Sequence, residues 1–174
     1  MSGEARVYVG IGSNVDRERY VTAALDALDD WFGELVISPV YESEAVGFDG
    51  SPFFNLVVGV CTGLSVGELS RRFKQLEADN GRRRGDPKFR ARTLDLDILT
   101  YDDLIGVVEG VELPRGEILH NAFVLRPLAD IAPAQRHPVS GQSYAELWSA
   151  YDRDQRLWPV DFNWQGKLIS RAVS

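Results

Sequence analysis

An α+β fold built on an antiparallel sheet is what this sequence predicts, on three observations. Four stretches are strand-like, either alternating apolar and polar residues or dense in β-branched and aromatic ones. Two further stretches repeat apolar residues at helical spacing. Their order along the chain is β-α-β-β-α-β, which defines a ferredoxin-like arrangement with helices laid on one face of the sheet.

Each element has its own signal. RVYVGIG (Arg6 to Gly12) sets Val7, Val9 and Ile11 on one side, the period of a strand. Gly10 to Asn14 suits a tight turn out of that strand, and Ser13 to Asp16 a turn or helix cap. Val21, Ala24, Leu25, Leu28, Trp31 and Phe32 then predict a helix over 17–32. Leu35 to Tyr41 is a short second strand, and ESEAVGFDGSP (Glu42 to Pro52) a loop. FFNLVVGVC (Phe53 to Cys61) is strongly β-forming. Ser65 with Glu68 three residues later forms a capping-box signature. Leu69, Phe73 and Leu76 supply that helix with an apolar face, and Asn80-Gly81 closes it. Thr93 to Tyr101 (TLDLDILTY) returns to alternation.

Past residue 102 the pattern weakens. Pro127 to Pro138 is proline-rich, His137 beside Pro138 suggests a surface turn, and Trp148, Trp158 and Trp164 fall in the tail. There is no internal repeat and no linker-like stretch, so the 174 residues are expected to form one domain, with a core over about 6–140 and an irregular C-terminal extension over about 141–174.

Composition narrows the function. Asp and Glu number 26 against 19 Lys and Arg, a formal net charge of −7, which argues against nucleic acid or an anionic membrane as partner. A lone Cys61 cannot form an internal disulfide and suits a reducing compartment. The N-terminal residues lack the apolar run of a signal peptide, and no apolar stretch is long enough to span a bilayer. A soluble cytoplasmic protein, expected to be a monomer, fits these features. With two histidines and one cysteine, any metal is expected to be a hard cation held by oxygen.

The chemistry concentrates in one stretch. Asp95 and Asp97 are two apart in a strand and share a face, while Leu94, Leu96 and Ile98 point into the core. Adjacent like charges on a central strand repel, and a divalent cation relieves them; carboxylates with phosphate oxygens and water are the usual shell of Mg²⁺. Just before them, Arg82 to Arg92 carries five Arg and one Lys against one Asp, a local charge of +5 that leaves −12 on the rest of the chain. Guanidinium forks match phosphate oxygens in pairs. Taken singly, the acids also fit an exposed strand face and the loop a solvated basic segment; together they favour a polyphosphate held by Mg²⁺ and arginine. The Gly-x-Gly at Gly10 to Gly12 lacks the following Lys-Ser/Thr of a P-loop, so the phosphates must bind elsewhere.

RTLDLDI (Arg92 to Ile98), preceded by LEADNGRRR (Leu76 to Arg84), resembles the signature of the 6-hydroxymethyl-7,8-dihydropterin pyrophosphokinase family. GIGSN, VYESEAVG (Val40 to Gly47), FFN (Phe53 to Asn55) and AFVLRPLADIAP (Ala122 to Pro133) resemble its other blocks, in its order, over roughly residues 6–140. The resemblance implies a ferredoxin-like fold and transfer of diphosphate from ATP to the pterin hydroxymethyl group, releasing AMP, in folate synthesis. It implies two Mg²⁺ ions on Asp95 and Asp97, with Arg82 and Arg92 neutralising the transferring group. It implies ATP contacts from Lys74, Glu77, Arg82, Arg84, Arg92, Ile98 and Arg115, and pterin contacts from Ser43, Val46, Phe53, Asn55 and Phe123. A flat heterocycle stacks between rings, and an amide both donates and accepts at its edge. Phe89 stands where the family has a loop Trp. Two positions depart from it: Arg115 replaces a His that meets ATP phosphate, and Asn121 a phosphate-binding Arg. These departures keep open an alternative, a diverged paralogue that binds pterin or nucleotide without transferring diphosphate. A regulatory ferredoxin-like domain would leave the acid pair and basic loop unexplained.

Overall fold

A computed structural model describes residues 3–43, 52–81 and 93–172 of the chain. β1 (Ala5–Ser13) leads to α1 (Arg17–Phe32), then β2 (Val36–Ile37), β3 (Val40–Ser43) and β4 (Phe53–Thr62). After α2 (Val66–Asp79) and β5 (Asp95–Tyr101) come a small hairpin, β6 (Gly106–Val108) and β7 (Val111–Leu113), and a 3₁₀ turn over Gly116–Leu119. The chain continues through α3 (Ala122–Ile131) and α4 (Tyr144–Ser149) to β8 (Leu157–Val160), β9 (Phe162–Trp164) and β10 (Lys167–Ser170). The main sheet runs β5-β1-β4-β3-β8, with β2 also on β4, and its pairings are all antiparallel. The β-α-β-β-α-β core expected from the sequence is present.

Alternation sorts the side chains. Val7, Val9 and Ile11 of β1, with Phe54, Leu56, Val58 and Val60 of β4, meet the apolar faces of α1 and α2. Leu25 and Leu28 of α1 are wholly buried there, each contributing about 1.5–3 kcal/mol by area removed from water. α2 starts as expected, with Ser65 Oγ accepting from the Glu68 N–H at 3.2 Å. It is followed by Gly81 at φ 98°, a conformation that favours glycine.

Three expectations need correction. Helices cover both faces of the sheet: α3 and α4 bring Val124, Leu125, Leu128 and Tyr144 onto Tyr8, Val57 and Leu99 on the side away from α1 and α2. Among the described residues β5 is an edge strand, with β1 as its one strand partner. The proline-rich stretch begins inside a helix, with Pro127 buried in α3. A proline there forfeits one backbone hydrogen bond, and the burial of Leu125 and Leu128 around it holds the helix nonetheless.

The tail has more order than its pattern suggests. β8 extends the main sheet by pairing with β3, and Phe162 packs edge-on against Phe54 in the α1/α2 core at 6.2 Å between ring centroids. Trp164 ties the β9–β10 hairpin to α1, its Nε1 donating to Asp26 Oδ1 at 2.9 Å. His137, expected at the surface, is 3% exposed. Its Nδ1 accepts from the N–H groups of Val139 and Ser140, so the turn at Pro138 closes over the ring, and burial lowers its pKa.

Candidate active site

The site is built on the face of the sheet that carries Tyr8. On β1 that face continues as Gly10 and Gly12, which sit in the strand, not in the turn beyond it. With no side chains there, the sheet has a bare floor, and a cleft of about 650 Å³ opens above it. Strand register sets the walls. Gly12 pairs with Asn55 of β4 on one side and Asp95 of β5 on the other, and Gly10 pairs with Asp97. Two strand spacings, about 10 Å, therefore separate the Asn55 amide wall from the acid wall.

The acid wall follows the sequence expectation. Asp95 and Asp97 share the cleft face of β5 while Leu94, Leu96 and Ile98 are buried. Among the described residues, the outer edge of β5 is met by a side chain and a loop. Glu77 of α2, 8% exposed, accepts from the Leu96 N–H through Oε2 at 2.7 Å, and the Arg115 N–H donates to the Leu99 carbonyl at 2.8 Å. The second bond sets Arg115 against the acids. Its Nη2 lies 3.4 Å from Asp97 Oδ1, and its Nε donates to Glu117 Oε1 at 2.7 Å. Ile98 reaches the cleft wall, but its side chain belongs to the core.

The electrostatics mark Asp97. Burial, the neighbouring Asp95 charge, and the Glu117 and Glu77 carboxylates raise its pKa to about 7 against the pull of Arg115. Burial works against the Arg115 charge, but Asp97 and Glu117 outweigh it and hold that guanidinium above its ordinary value. Two adjacent carboxylates form a hard oxygen donor set whose mutual repulsion a divalent cation would relieve. Among the described residues no group of three His, Cys, Asp or Glu side chains is placed to hold a metal. Mg²⁺ on the aspartate pair would thus take the rest of its shell from phosphate and water, its usual habit in nucleotide sites.

The opposite wall is aromatic and amide. Phe53 and Asn55 alternate onto the cleft face of β4, and Ser43 onto that of β3. Asn55 Nδ2 donates to Ser43 Oγ at 2.9 Å, which fixes the amide plane. Its Oδ1 rests so close over the floor that a Cβ on Gly12 would come within 3.0 Å of it. Phe123, in the first turn of α3, lines the same space, as do Lys74 and Ser70 of α2. Of the residues expected at the site, Ser43, Phe53, Asn55, Lys74, Glu77, Asp95, Asp97, Ile98, Arg115 and Phe123 line one cleft. Val46, Arg82, Arg84, Phe89 and Arg92 lie outside the described residues. Glu117 lines the cleft too and was not anticipated. It sits in a 3₁₀ turn, which carries no periodic signal; its spacing of two from Arg115 was the one available clue.

A fold of this kind has counterparts among solved structures. The chain superposes with a TM-score of 0.74 on a crystal structure titled HPPK-DHPS in complex with substrates, at 12% identity over 97% of this chain and 48% of that one. On wild-type Plasmodium falciparum HPPK-DHPS the TM-score is 0.67, at 13% identity over 96% of this chain and 50% of that one. The chain thus spans about half the length of these solved chains, and the likeness shows the fold. The sequence model of 7,8-dihydro-6-hydroxymethylpterin-pyrophosphokinase (HPPK) matches residues 8–133. A protein named 2-amino-4-hydroxy-6-hydroxymethyldihydropteridine pyrophosphokinase from Aquifex aeolicus is 36% identical over 78% of this chain and 85% of its own length. Its namesake from Pseudomonas aeruginosa is 37% identical over 83% and 91%. The chain belongs to the 7,8-dihydro-6-hydroxymethylpterin-pyrophosphokinase family.

Proposed function

We propose that this chain transfers the diphosphoryl group of ATP to the hydroxymethyl oxygen of 6-hydroxymethyl-7,8-dihydropterin, releasing AMP, as a step of folate synthesis. The observation that carries this is the division of one cleft by a glycine floor, with a carboxylate pair on one side and an aromatic-amide wall on the other. A polyphosphate and a flat heterocycle have opposite needs, and each wall meets one of them.

The pterin stacks with Phe53 and Phe123 while Asn55, held by Ser43, reads its edge, and Val46 completes this side. Lys74, Glu77, Ile98 and Arg84 take the adenosine end and phosphates of ATP. Asp95 and Asp97 would hold Mg²⁺, two ions by the family resemblance, which would supply charge neutralisation for the polyphosphate. Arg82, Arg92 and Arg115 add fixed positive charge where negative charge gathers on the transferring group. The substrate alcohol is the nucleophile: its oxygen bonds to the β-phosphorus as the bond from that phosphorus to the α,β-bridging oxygen breaks, AMP leaves with the oxygen, and the alcohol's proton passes to solvent. No covalent enzyme intermediate is required. The protein works on small molecules as a single-domain monomer in the cytoplasm, without nucleic acid or membrane. No helix among the described residues is long and apolar enough to cross a membrane.

Incubation with ATP, Mg²⁺ and the hydroxymethyl-dihydropterin tests the reading. AMP and a diphosphorylated pterin are expected. ATP binding without AMP would favour the non-transferring alternative, which the tethering of Arg115 by Glu117 and the amide at Asn121 motivate.

A further inference from the structure

The C-terminal segment that follows α4 reaches back to the start of α3, and its contacts there are specific. Tyr151 Oη donates to the His120 carbonyl at 2.8 Å. Gln155 does more. Its Oε1 accepts from the Ala122 N–H at 2.7 Å, and its Nε2 donates to Asn121 Oδ1 at 3.1 Å. Asn121 occupies the N-cap of α3, yet its own side chain makes no cap bond. A side chain 33 positions away therefore satisfies the first N–H of the helix, one of the four donors that the helix itself leaves without a partner.

Freed from capping, the Asn121 amide faces the cleft and turns its Nδ2 to Glu117 Oε2 at 3.2 Å. Glu117 uses its other oxygen to hold Arg115 Nε at 2.7 Å, and Arg115 Nη2 meets Asp97 at 3.4 Å. The polar contacts thus run without a break from Gln155 through Asn121, Glu117 and Arg115 to Asp97. Glu117 is pinned between an amide donor and a guanidinium, so it presents one carboxylate orientation.

We propose that Gln155 is a positioning residue for the phosphate side of the site, setting the Arg115 guanidinium through Asn121 and Glu117. This rests on the reading above that the cleft takes MgATP. A cap alone predicts a stability effect, whereas positioning predicts an effect on nucleotide binding that vanishes once Arg115 is removed.

Gln155→Glu separates the two roles. The new carboxylate still accepts from the Ala122 N–H and suits a helix N-terminus, so the fold is retained. It cannot donate to Asn121, so the amide turns its donors toward it and leaves Glu117 without one. The measurement is MgATP affinity by calorimetry, independent of turnover, with melting temperature recorded alongside. The expected result is a Kd raised on the order of five-fold, as for loss of one net hydrogen bond, at an unchanged melting temperature. In an Arg115→Ala background the same substitution is expected to leave the Kd unchanged. Wild-type affinity in Gln155→Glu, or an equal loss with and without Arg115, would overturn the positioning role. A wild-type chain that binds no MgATP would overturn the reading of the cleft, and the positioning role with it.

Discussion

Replacing Asp97 by Asn should make the metal-free protein more stable at alkaline pH, against the usual consequence of disturbing a buried site. The folded chain raises this carboxyl from 3.8 to about 7. Between those values the folded state holds a proton that the unfolded state has lost, so stability from this group is complete at acid pH and falls as pH climbs toward and through 7. Each unit of displacement is worth about 1.4 kcal/mol, which puts the upper bound near ~4 kcal/mol. The side chain is 27% exposed and shares its charge with Asp95, so screening brings the expected figure to about 2 kcal/mol. For a chain of this size that is roughly 4–8 °C in melting temperature. Asp97→Asn removes the titration and leaves Arg115 its bond to Glu117. Melting curves at pH 5 and pH 8 in a chelator are the assay. At pH 5 the variant should lead by less than half of that margin, because the wild type loses stability from pH 3.8 upward; at pH 8 it should melt higher by the full margin, and MgATP should raise the wild type alone. A variant that melts at or below wild type at pH 8, or a difference that ignores pH, would refute the claim that burial and neighbouring acids strain this carboxyl.

Further expectations concern other parts of the cleft. Glu77→Ala leaves the Leu96 N–H on the β5 edge without its partner and should cost about 1–3 kcal/mol in denaturant unfolding; a loss within error would show that water serves that group equally well. Gly12→Ala puts a Cβ 3.0 Å from the Asn55 oxygen. It should weaken pterin binding in calorimetry while leaving MgATP affinity near wild type; equal losses for both ligands would assign Gly12 a general structural role. Phe162→Ala empties a buried ring position against Phe54 and should destabilise the whole protein by about 3–5 kcal/mol, in one unfolding transition. A smaller separate transition would show the C-terminal hairpin to be an appendage.

The elements legible in the sequence were those whose residue pattern is regular. α1 shows one apolar face and one polar face and lies over the predicted residues, and alternation in β1 and the acid strand sorted Val7, Val9, Ile11, Leu96 and Ile98 into the core. The face bearing Asp95 and Asp97 followed from the same rule. What escaped was set by tertiary contact. β5 sits at the edge because Glu77 and the backbone of Arg115 satisfy its groups, which no strand pattern encodes. α3 hides behind Pro127 because its stability comes from burial against the sheet, which outweighs a local helix breaker. β8 is four residues long with Pro159 inside it, tolerable at a sheet edge and unreadable as a strand beforehand. Gly10 and Gly12 looked like turn residues, and only register shows them to be the floor between two walls. Gln155 gave no signal, since its role depends on a contact 34 positions distant.

Diffraction from crystals grown with a non-hydrolysable ATP analogue and Mn²⁺ in place of Mg²⁺ bears most directly on the central claim. The anomalous signal is expected on the Asp95–Asp97 face, between those carboxylates and the nucleotide phosphates. Nucleotide bound in the cleft with that face free of anomalous density would contradict it.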